Sequence, residues 1–202
     1  MIRTVIFDIG DVLINVDWSR FCLEKGYDEL MTRKLAKATK ESVYWDEYDR
    51  GVWSDEKIVE HFITLAPELE EDIRFLCKNL RGLCRRQEYA IPWIKEVQEK
   101  GYQVLVLSNF SERALIDCAE AMDFLKYVDG GILSFREKLI KPDPQIYRLL
   151  MEKYQRRKGE AVFLDDRKEN IIAAEKEGIY GIQVMNHEQA YRDLNRFLDE
   201  SK

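Results

Sequence analysis

The chain has 202 residues, of which 46% are hydrophobic and 35% charged, a composition typical of globular proteins that excludes a disordered or fibrous chain. Its formal net charge is −6, so it offers no basic face for a phosphate backbone, and nucleic acid is not expected as a partner. No apolar run is long enough to span a bilayer, and Met1 leads straight into a strand-like run, so we expect a cytoplasmic protein with no membrane partner.

This length predicts one domain, or one core with a modest insertion. The first predicted strand lies in the apolar run at residues 5–14, which is interrupted by Asp8, Gly10 and Asp11. A continuous apolar run indicates a strand that is buried on both faces. Ligands of open parallel sheets collect outside the carboxyl ends of the strands, so Asp8 is expected at the mouth of the sheet.

The next segment, from about Trp18 to about Arg86, is predicted to be helical throughout. Its apolar residues recur at mixed spacings of three and four, and no buried strand is evident. Its aromatic residues are predicted to form mainly the core of this segment, although stacking on a sugar ring is an alternative for some of them. These residues are Trp18, Tyr44, Trp45, Tyr48 and Trp53.

From residue 91 onward, predicted helices alternate with predicted strands at residues 103–109, 130–134, 160–166 and 180–185. This alternation favours a Rossmann-like α/β fold, in which helices cover both faces of a parallel sheet. The predicted core comprises residues 1–16 and 87–202. Residues 17–86 are predicted as a small all-helical cap subdomain, inserted after the first strand at the mouth of the sheet, where it would exclude water and select substrates.

Polar clusters stand at the strand ends and in one rigid turn. They are Asp8 with Asp11, Ser108 with Asn109, Lys141, and Asp165 with Asp166. Each cluster alone is explained equally well by turn or helix-start chemistry, but parallel strands would bring all of them to one edge. Adjacent carboxylates repel one another unless a cation is present, and oxygen ligands favour Mg²⁺. Lysine, serine and asparagine can donate to phosphate oxygens, and an aspartate can be the nucleophile through an aspartyl phosphate.

These motifs resemble the haloacid dehalogenase-like (HAD) hydrolase superfamily. The resemblance rests on Phe7-Asp8-x-x-x-Val12, Leu107-Ser108-Asn109, Lys141-Pro142 and Phe163-Leu164-Asp165-Asp166, in this order. The inserted segment stands where that superfamily has its small helical cap. The first motif, together with residues 141–147 and 165–170, is most similar to the branch that includes α-D-glucose-1-phosphate phosphatases.

The resemblance implies a role for each residue of the clusters. Asp8 would be the nucleophile and a Mg²⁺ ligand, with the Gly10 carbonyl as a second ligand. Asp166 would bind the metal directly and Asp165 through water, or the two would exchange these roles. Ser108 and Asn109 would bind the phosphoryl group, while Lys141 would neutralise it and position Asp8. The metal-free dehalogenases lack the adjacent acids, so Asp165 with Asp166 favours a phosphatase.

One position departs from the resemblance. Most phosphatases of the superfamily have an aspartate where this chain has Gly10, and that residue protonates the leaving oxygen. A positioned general acid–base contributes ~10²–10⁴-fold, so its absence favours substrates with acidic leaving groups, such as a hexose 1-phosphate. We expect either that Asp11 or Asp17 substitutes through water, or that turnover is slow.

The sequence therefore predicts a Mg²⁺-dependent phosphatase that acts on a small phosphorylated metabolite. Two alternatives stay open. One is a metal-independent 2-haloacid dehalogenase, and the other is a relative that binds a phosphorylated ligand or a partner protein without turnover. An apolar face of the cap could support a weak homodimer, so the expected state is a monomer or such a dimer.

Overall fold

The computed structural model describes residues 1–201, and its main feature is a five-stranded parallel sheet. Within those residues the strands are β1 (Thr4–Phe7), β2 (Ile14–Val16), β3 (Cys84–Arg86), β4 (Gln103–Ser108), β5 (Gly130–Leu133), β6 (Ala161–Asp165) and β7 (Tyr180–Gln183). The parallel sheet has the order β5-β4-β1-β6-β7, so β1 is central and lies between β4 and β6. Each of the five predicted strands is present, and the predicted α/β fold is confirmed.

Helices cover both faces of this sheet, and others lie between β2 and β3. They are α1 (Trp18–Glu24), α2 (Glu29–Ala38), α3 (Val43–Arg50), α4 (Asp55–Leu65), α5 (Glu70–Lys78), α6 (Ala90–Glu99), α7 (Glu112–Asp117), α8 (Ser134–Glu137), α9 (Pro144–Lys153), α10 (Lys168–Lys176) and α11 (His187–Glu200), with 3₁₀ segments at Pro67–Leu69 and Ala119–Lys126. None of the helices within residues 1–201 is long and apolar enough to cross a bilayer.

Strand β1 shows why both faces need cover. Successive side chains of a strand point to opposite faces. Phe7 packs on one face, edge-to-face against Trp93 of α6, with 4.8 Å between the ring centroids. Ile6 belongs to the core on the other face, which includes Tyr147 of α9. Since both sets are buried, β1 is apolar from Val5 to Phe7, and this made it recognisable in the sequence.

A small antiparallel sheet pairs β2 with β3 and was not predicted. The prediction of helix from Trp18 to Arg86 is wrong at its last three residues, which form β3. The chain turns sharply after β1, where the backbone N–H groups of Leu13 and Ile14 both donate to the Ile9 carbonyl, at 2.9 and 3.0 Å. Strand β3 carries two arginines and is only three residues long, so only its pairing with β2 identifies it as a strand.

Helices α1–α5 lie between β2 and β3, where the helical insertion was predicted, and α3 is fastened to the core by α8. The Ser134 hydroxyl donates to the Asp49 carbonyl at 2.5 Å, and Lys138 Nζ donates to the Gly51 carbonyl at 2.5 Å. Gly51 has a φ of +68°, and a Cβ there would lie 2.8 Å from Phe135 Cβ. These contacts hold the end of α3 close to the sheet. The division into core and cap subdomains stays a prediction.

Candidate active site

Three neighbouring strands end at the same level and bring together the polar residues that follow them. Phe7 of β1 is in register with Val106 of β4 and with Leu164 of β6. Asp8 therefore lies level with the ends of β4 and β6, where the chain continues into Ser108–Asn109 and Asp165–Asp166. The structure thus brings together residues that are more than 150 positions apart in the sequence.

Lys141 lies between two of the carboxylates. Its Nζ is 2.8 Å from Asp8 Oδ1 and 2.6 Å from Asp165 Oδ2, and Lys141 is only 3% exposed. Burial disfavours the ammonium, but the charges of Asp8 and Asp165 outweigh it and raise the pKa of Lys141. Burial also raises the pKa of Asp8, and Lys141 opposes that shift. Lys141 is therefore the group that keeps Asp8 available as a carboxylate.

Asp165 is fully engaged by hydrogen bonds. Its Oδ1 accepts from the Arg167 backbone N–H at 2.8 Å, and Asn170 Nδ2 lies 3.0 Å from each of its oxygens. Together with Lys141, these donors leave little capacity for a further ligand. The sequence had assigned no role to Asn170, although its spacing of five residues from Asp165 puts it in the first turn of the helix after β6. Asp165 therefore positions Lys141 and the loop after β6.

Asp166 differs from Asp165 because its carboxylate receives no hydrogen bond from another residue in the described part of the chain. Burial and the charge of Asp165 raise the pKa of Asp166. One oxygen each from Asp8, Asp165 and Asp166 lies within 4.8 Å of the others, and the buried Asn170 Oδ1 has no partner among residues 1–201. Three carboxylates that share the single ammonium of Lys141, beside an unpaired carbonyl oxygen, fit a divalent cation. Asp8 and Asp166 are its best placed carboxylates.

Ser108 and Asn109 meet the predicted phosphoryl position in different ways. Ser108 is buried beside Asp8. Burial raises the pKa of Asp8, Lys141 opposes that rise, and a hydrogen bond from the Ser108 hydroxyl opposes it to a smaller extent. Both polar atoms of the Asn109 side chain instead pair with the Lys141 backbone, at 2.9 Å to its carbonyl and 2.7 Å from its N–H. Asn109 thus holds the Lys141 loop in place. A contact between Asn109 and substrate stays a prediction.

Of the two acids proposed to replace a proton donor at Gly10, each has one oxygen bonded to a backbone N–H, and Asp11, unlike Asp17, lines the cavity described next. Asp11 has a φ of +52°, and its Oδ1 accepts from the Val16 backbone N–H at 3.1 Å, which joins it to β2. Asp17 is the N-cap of α1 and accepts from the Arg20 backbone N–H at 2.9 Å. Gly10 itself lines the cavity described next.

A cavity of about 470 Å³ opens above Asp8. The insertion contributes some of its walls, and the other lining residues include Asp8, Gly10, Asp11, Ser108, Asn109, Lys141, Asp166, Arg167 and Asn170. The insertion residues that reach it include Trp18, Lys40, Glu41, Trp45, Asp46 and Asp49. Of the aromatic residues singled out in the sequence, Trp18 and Trp45 line this cavity and pack at right angles to each other, with ring centroids 6.0 Å apart. Tyr44 and Trp53 instead pack around His61, away from the cavity.

Comparison with known proteins gives a consistent result. Residues 2–178 match the family model of the haloacid dehalogenase-like hydrolases. The chain is 26% identical to acyl-CoA dehydrogenase family member 10 of Mus musculus, an alignment that covers 97% of this chain and 19% of that protein, so it spans about a fifth of that relative. It is 22% identical to the sesquiterpene phosphatase AstK of Aspergillus oryzae, over 90% of this chain and 89% of that one.

Solved structures with this fold include enzymes of two kinds. One is a HAD family enzyme from Bacteroides thetaiotaomicron in complex with magnesium and inorganic phosphate, with a TM-score of 0.68 and 20% identity over 91% of this chain and 94% of that one. Another is the L-2-haloacid dehalogenase of Xanthobacter autotrophicus with chloropropionic acid covalently bound, with a TM-score of 0.68 and 18% identity over 94% and 80% of the two chains. At such identities the likeness concerns the fold alone. The family model, which spans most of the chain, makes the protein a member of the haloacid dehalogenase-like hydrolase family.

Proposed function

We propose that this protein is a Mg²⁺-dependent phosphatase of small phosphorylated metabolites. The observation that carries the proposal is that the adjacent acids Asp165 and Asp166 differ in their hydrogen bonding. Asp165 is satisfied by Lys141, Asn170 and a backbone N–H, whereas Asp166 lines the cavity and none of residues 1–201 donates a hydrogen bond to its carboxylate. A free carboxylate next to a candidate nucleophile is useful if a cation binds there, and a metal-independent reaction has no need of it.

Asp8 is the proposed nucleophile. Its Oδ1 is held by Lys141 at 2.8 Å and by the Ile9 backbone N–H at 2.7 Å, so the carboxylate is fixed at the end of β1. Its other oxygen is available to attack phosphorus and form an aspartyl phosphate. Water then hydrolyses this intermediate, and inorganic phosphate leaves. Ser108 is the nearest hydroxyl donor for the phosphoryl oxygens.

The proposed cation ligands are the Asp8 and Asp166 carboxylates and the Gly10 carbonyl. Bound Mg²⁺ would supply positive charge for the transferring phosphoryl group. The residues of the chain do the remaining work. Lys141 keeps Asp8 ionised, and the inserted helices cover the site and limit the access of water.

The cavity walls favour a hydroxylated substrate. Lys40, Glu41, Asp46 and Asp49 reach the cavity from the insertion and can exchange hydrogen bonds with the hydroxyl groups of a sugar, and Trp45 offers an aromatic face beside them. An apolar terpenoid, such as the name of the Aspergillus relative implies for that protein, would leave these charged groups without partners. A sugar phosphate, with hexose 1-phosphate as the first candidate, fits these walls better.

The dehalogenase reaction is the second candidate, because the fold is shared with a dehalogenase that has chloropropionic acid covalently bound. One experiment separates the two. The purified protein is assayed for phosphate release from p-nitrophenyl phosphate and a panel of sugar phosphates, and for halide release from 2-chloropropionate, each with Mg²⁺ and with EDTA. We expect Mg²⁺-dependent phosphate release that Asp8→Asn abolishes and that Glu47→Gln, on α3 but not among the residues lining the cavity, retains. Halide release in EDTA would overturn the phosphatase assignment, and a lack of turnover in every arm would favour a binding protein.

A further inference from the structure

The carboxyl groups at and beside the cavity differ in whether hydrogen bonds leave them available to donate or accept a proton. A phosphate ester with an alkoxide or phenoxide leaving group needs a proton on the leaving oxygen. Asp165 is engaged by Lys141 and Asn170, and the Asp11 carboxylate is bonded to the backbone of β2. Asp49 of α3 also lines the cavity, and its carboxylate forms no hydrogen bond or ion pair with any residue between 1 and 201. Three other acids of the lining share this property, but Asp166 is a proposed cation ligand, and Glu41 and Asp46 are exposed whereas Asp49 is half-buried.

A hydrogen-bond chain fixes the position of Asp49 relative to the phosphoryl site. The Phe110 backbone N–H donates to the Ser134 hydroxyl at 2.9 Å, and this hydroxyl donates to the Asp49 carbonyl at 2.5 Å. Phe110 directly follows Ser108 and Asn109 at the end of β4. Ser134 is completely buried, so water does not compete for these bonds. The link therefore ties α3 of the insertion to the loop that borders Asp8.

We propose that Asp49 is the proton donor and acceptor of the phosphatase reaction, a role for which Gly10 has no side chain. The assignment rests on the proposed function. In the first half-reaction, an Asp8 oxygen bonds to phosphorus, the bond from phosphorus to the leaving oxygen breaks, and that oxygen takes the proton of Asp49. In the second, a water oxygen bonds to phosphorus, the bond from phosphorus to the Asp8 oxygen breaks and frees the Asp8 carboxylate, and the water gives a proton to Asp49. The products are alcohol and inorganic phosphate, and both aspartates return to their starting states.

The electrostatic surroundings of Asp49 suit a group that starts protonated. Burial, and next the charge of Asp46 one turn earlier on α3, raise its pKa to about 8. Asp8 acts in the same direction, while Lys141 and Arg167 act against it. A carboxyl held neutral at physiological pH can donate a proton to a leaving oxygen, and its carboxylate is basic enough to recover one from water. With such a donor, the site is not restricted to the acidic leaving groups of anomeric phosphates.

The test compares two substrates of similar size that differ in their leaving group, phenyl phosphate and p-nitrophenyl phosphate. The value of kcat/KM is measured because it reports only the steps up to the first loss of the leaving group. For Asp49→Asn we expect kcat/KM for phenyl phosphate to fall by ~10²-fold or more. The loss for p-nitrophenyl phosphate should be at least about tenfold smaller, since nitrophenolate leaves without a proton. Glu47→Gln, on the same helix but not among the residues that line the cavity, is the matched control. It removes only a partly exposed ion pair with Arg50 and should leave both values unchanged.

A rescue variant makes the test independent of local damage to α3. Gly10 does not have a positive φ, and a Cβ there would meet only Val16 Cγ2, at 3.9 Å, so an aspartate fits. Gly10→Asp added to Asp49→Asn should restore part of the phenyl phosphate activity. Equal losses for the two substrates, or a failure of this rescue, would overturn the role of Asp49. Absence of phosphate release from the wild-type protein would instead overturn the proposed function itself.

Discussion

Replacing Lys141 with methionine is expected to destabilise the protein strongly, because methionine keeps the apolar stem but removes the ammonium from between Asp8 and Asp165. Lys141 Nζ lies 2.8 and 2.6 Å from these two carboxylates, and all three residues are buried. The exposed pair of Lys153 and Glu137 has a similar length of 3.0 Å, with the Lys153 side chain 44% exposed. Lys153→Met is therefore a control that differs mainly in burial.

The two variants should differ several-fold in free energy of unfolding. Lys141→Met removes two charge-assisted hydrogen bonds of ~1.5–3 kcal/mol each and leaves two buried charges without a partner. Removal of one member of a buried ion pair costs ~3–5 kcal/mol, which agrees with that sum. An exposed ion pair is worth less than ~1 kcal/mol, so Lys153→Met should lose no more than that.

The assay is urea denaturation in EDTA, followed by the fluorescence of the four tryptophans. Without Lys141, burial raises the pKa of Asp8 further. An acid with a raised folded-state pKa loses stability as pH rises through that pKa, so the deficit of Lys141→Met should be larger at alkaline than at mildly acidic pH. Equal losses of unfolding free energy for Lys141→Met and Lys153→Met would refute this account of the buried charges. Lys141→Met should also release no phosphate in the presence of Mg²⁺.

Two further variants test the metal site and the attachment of the insertion. Asp166→Asn should raise the melting temperature of the metal-free protein, because burial and the charge of Asp165 disfavour the Asp166 carboxylate. The same variant should lose the increase in melting temperature that Mg²⁺ gives the wild type. A Mg²⁺-induced increase of unchanged size, measured by thermal melting, would rule Asp166 out as the ligand. Gly51→Ala should lose ~1–3 kcal/mol more unfolding free energy than Gly26→Ala. Both glycines have a left-handed φ, but a Cβ at position 51 would lie 2.8 Å from Phe135 Cβ, whereas a Cβ at position 26 would meet open space. Equal losses of unfolding free energy in chemical denaturation would contradict this steric explanation.

The parts of the site that belong to the sheet were predictable from the sequence. Asp8, Ser108 and Asp165 each stand where a buried apolar run ends, and parallel strands bring such ends to one edge. Lys141 stood in a recognisable rigid turn, although its placement between two carboxylates came only with the structure. The roles of these residues in catalysis and metal binding stay predictions, as does the choice of a hexose 1-phosphate.

Other features depended on contacts that leave no local pattern. Strand β3 has the sequence Cys-Arg-Arg, and it becomes a strand only because β2 lies beside it. Asn109 looked like a phosphate ligand, but its amide is used to hold the Lys141 loop. Helical spacing alone did not separate Asp49 from Asp46, since both lie on the same face of α3.

The sequence by itself determined the α/β fold, because burial on two faces requires strands that are apolar throughout, and such strands stand out between amphipathic helices. It also determined which edge of the sheet carries the acids. Only the tertiary structure decided which of those acids are free. Lys141, from the loop between α8 and α9, engages Asp165, and the turn into β2 engages Asp11. The attachment of α3 to the core carries Asp49 to the cavity without a partner among residues 1–201. The charge state of a buried carboxylate depends on these long-range neighbours, which no local pattern records.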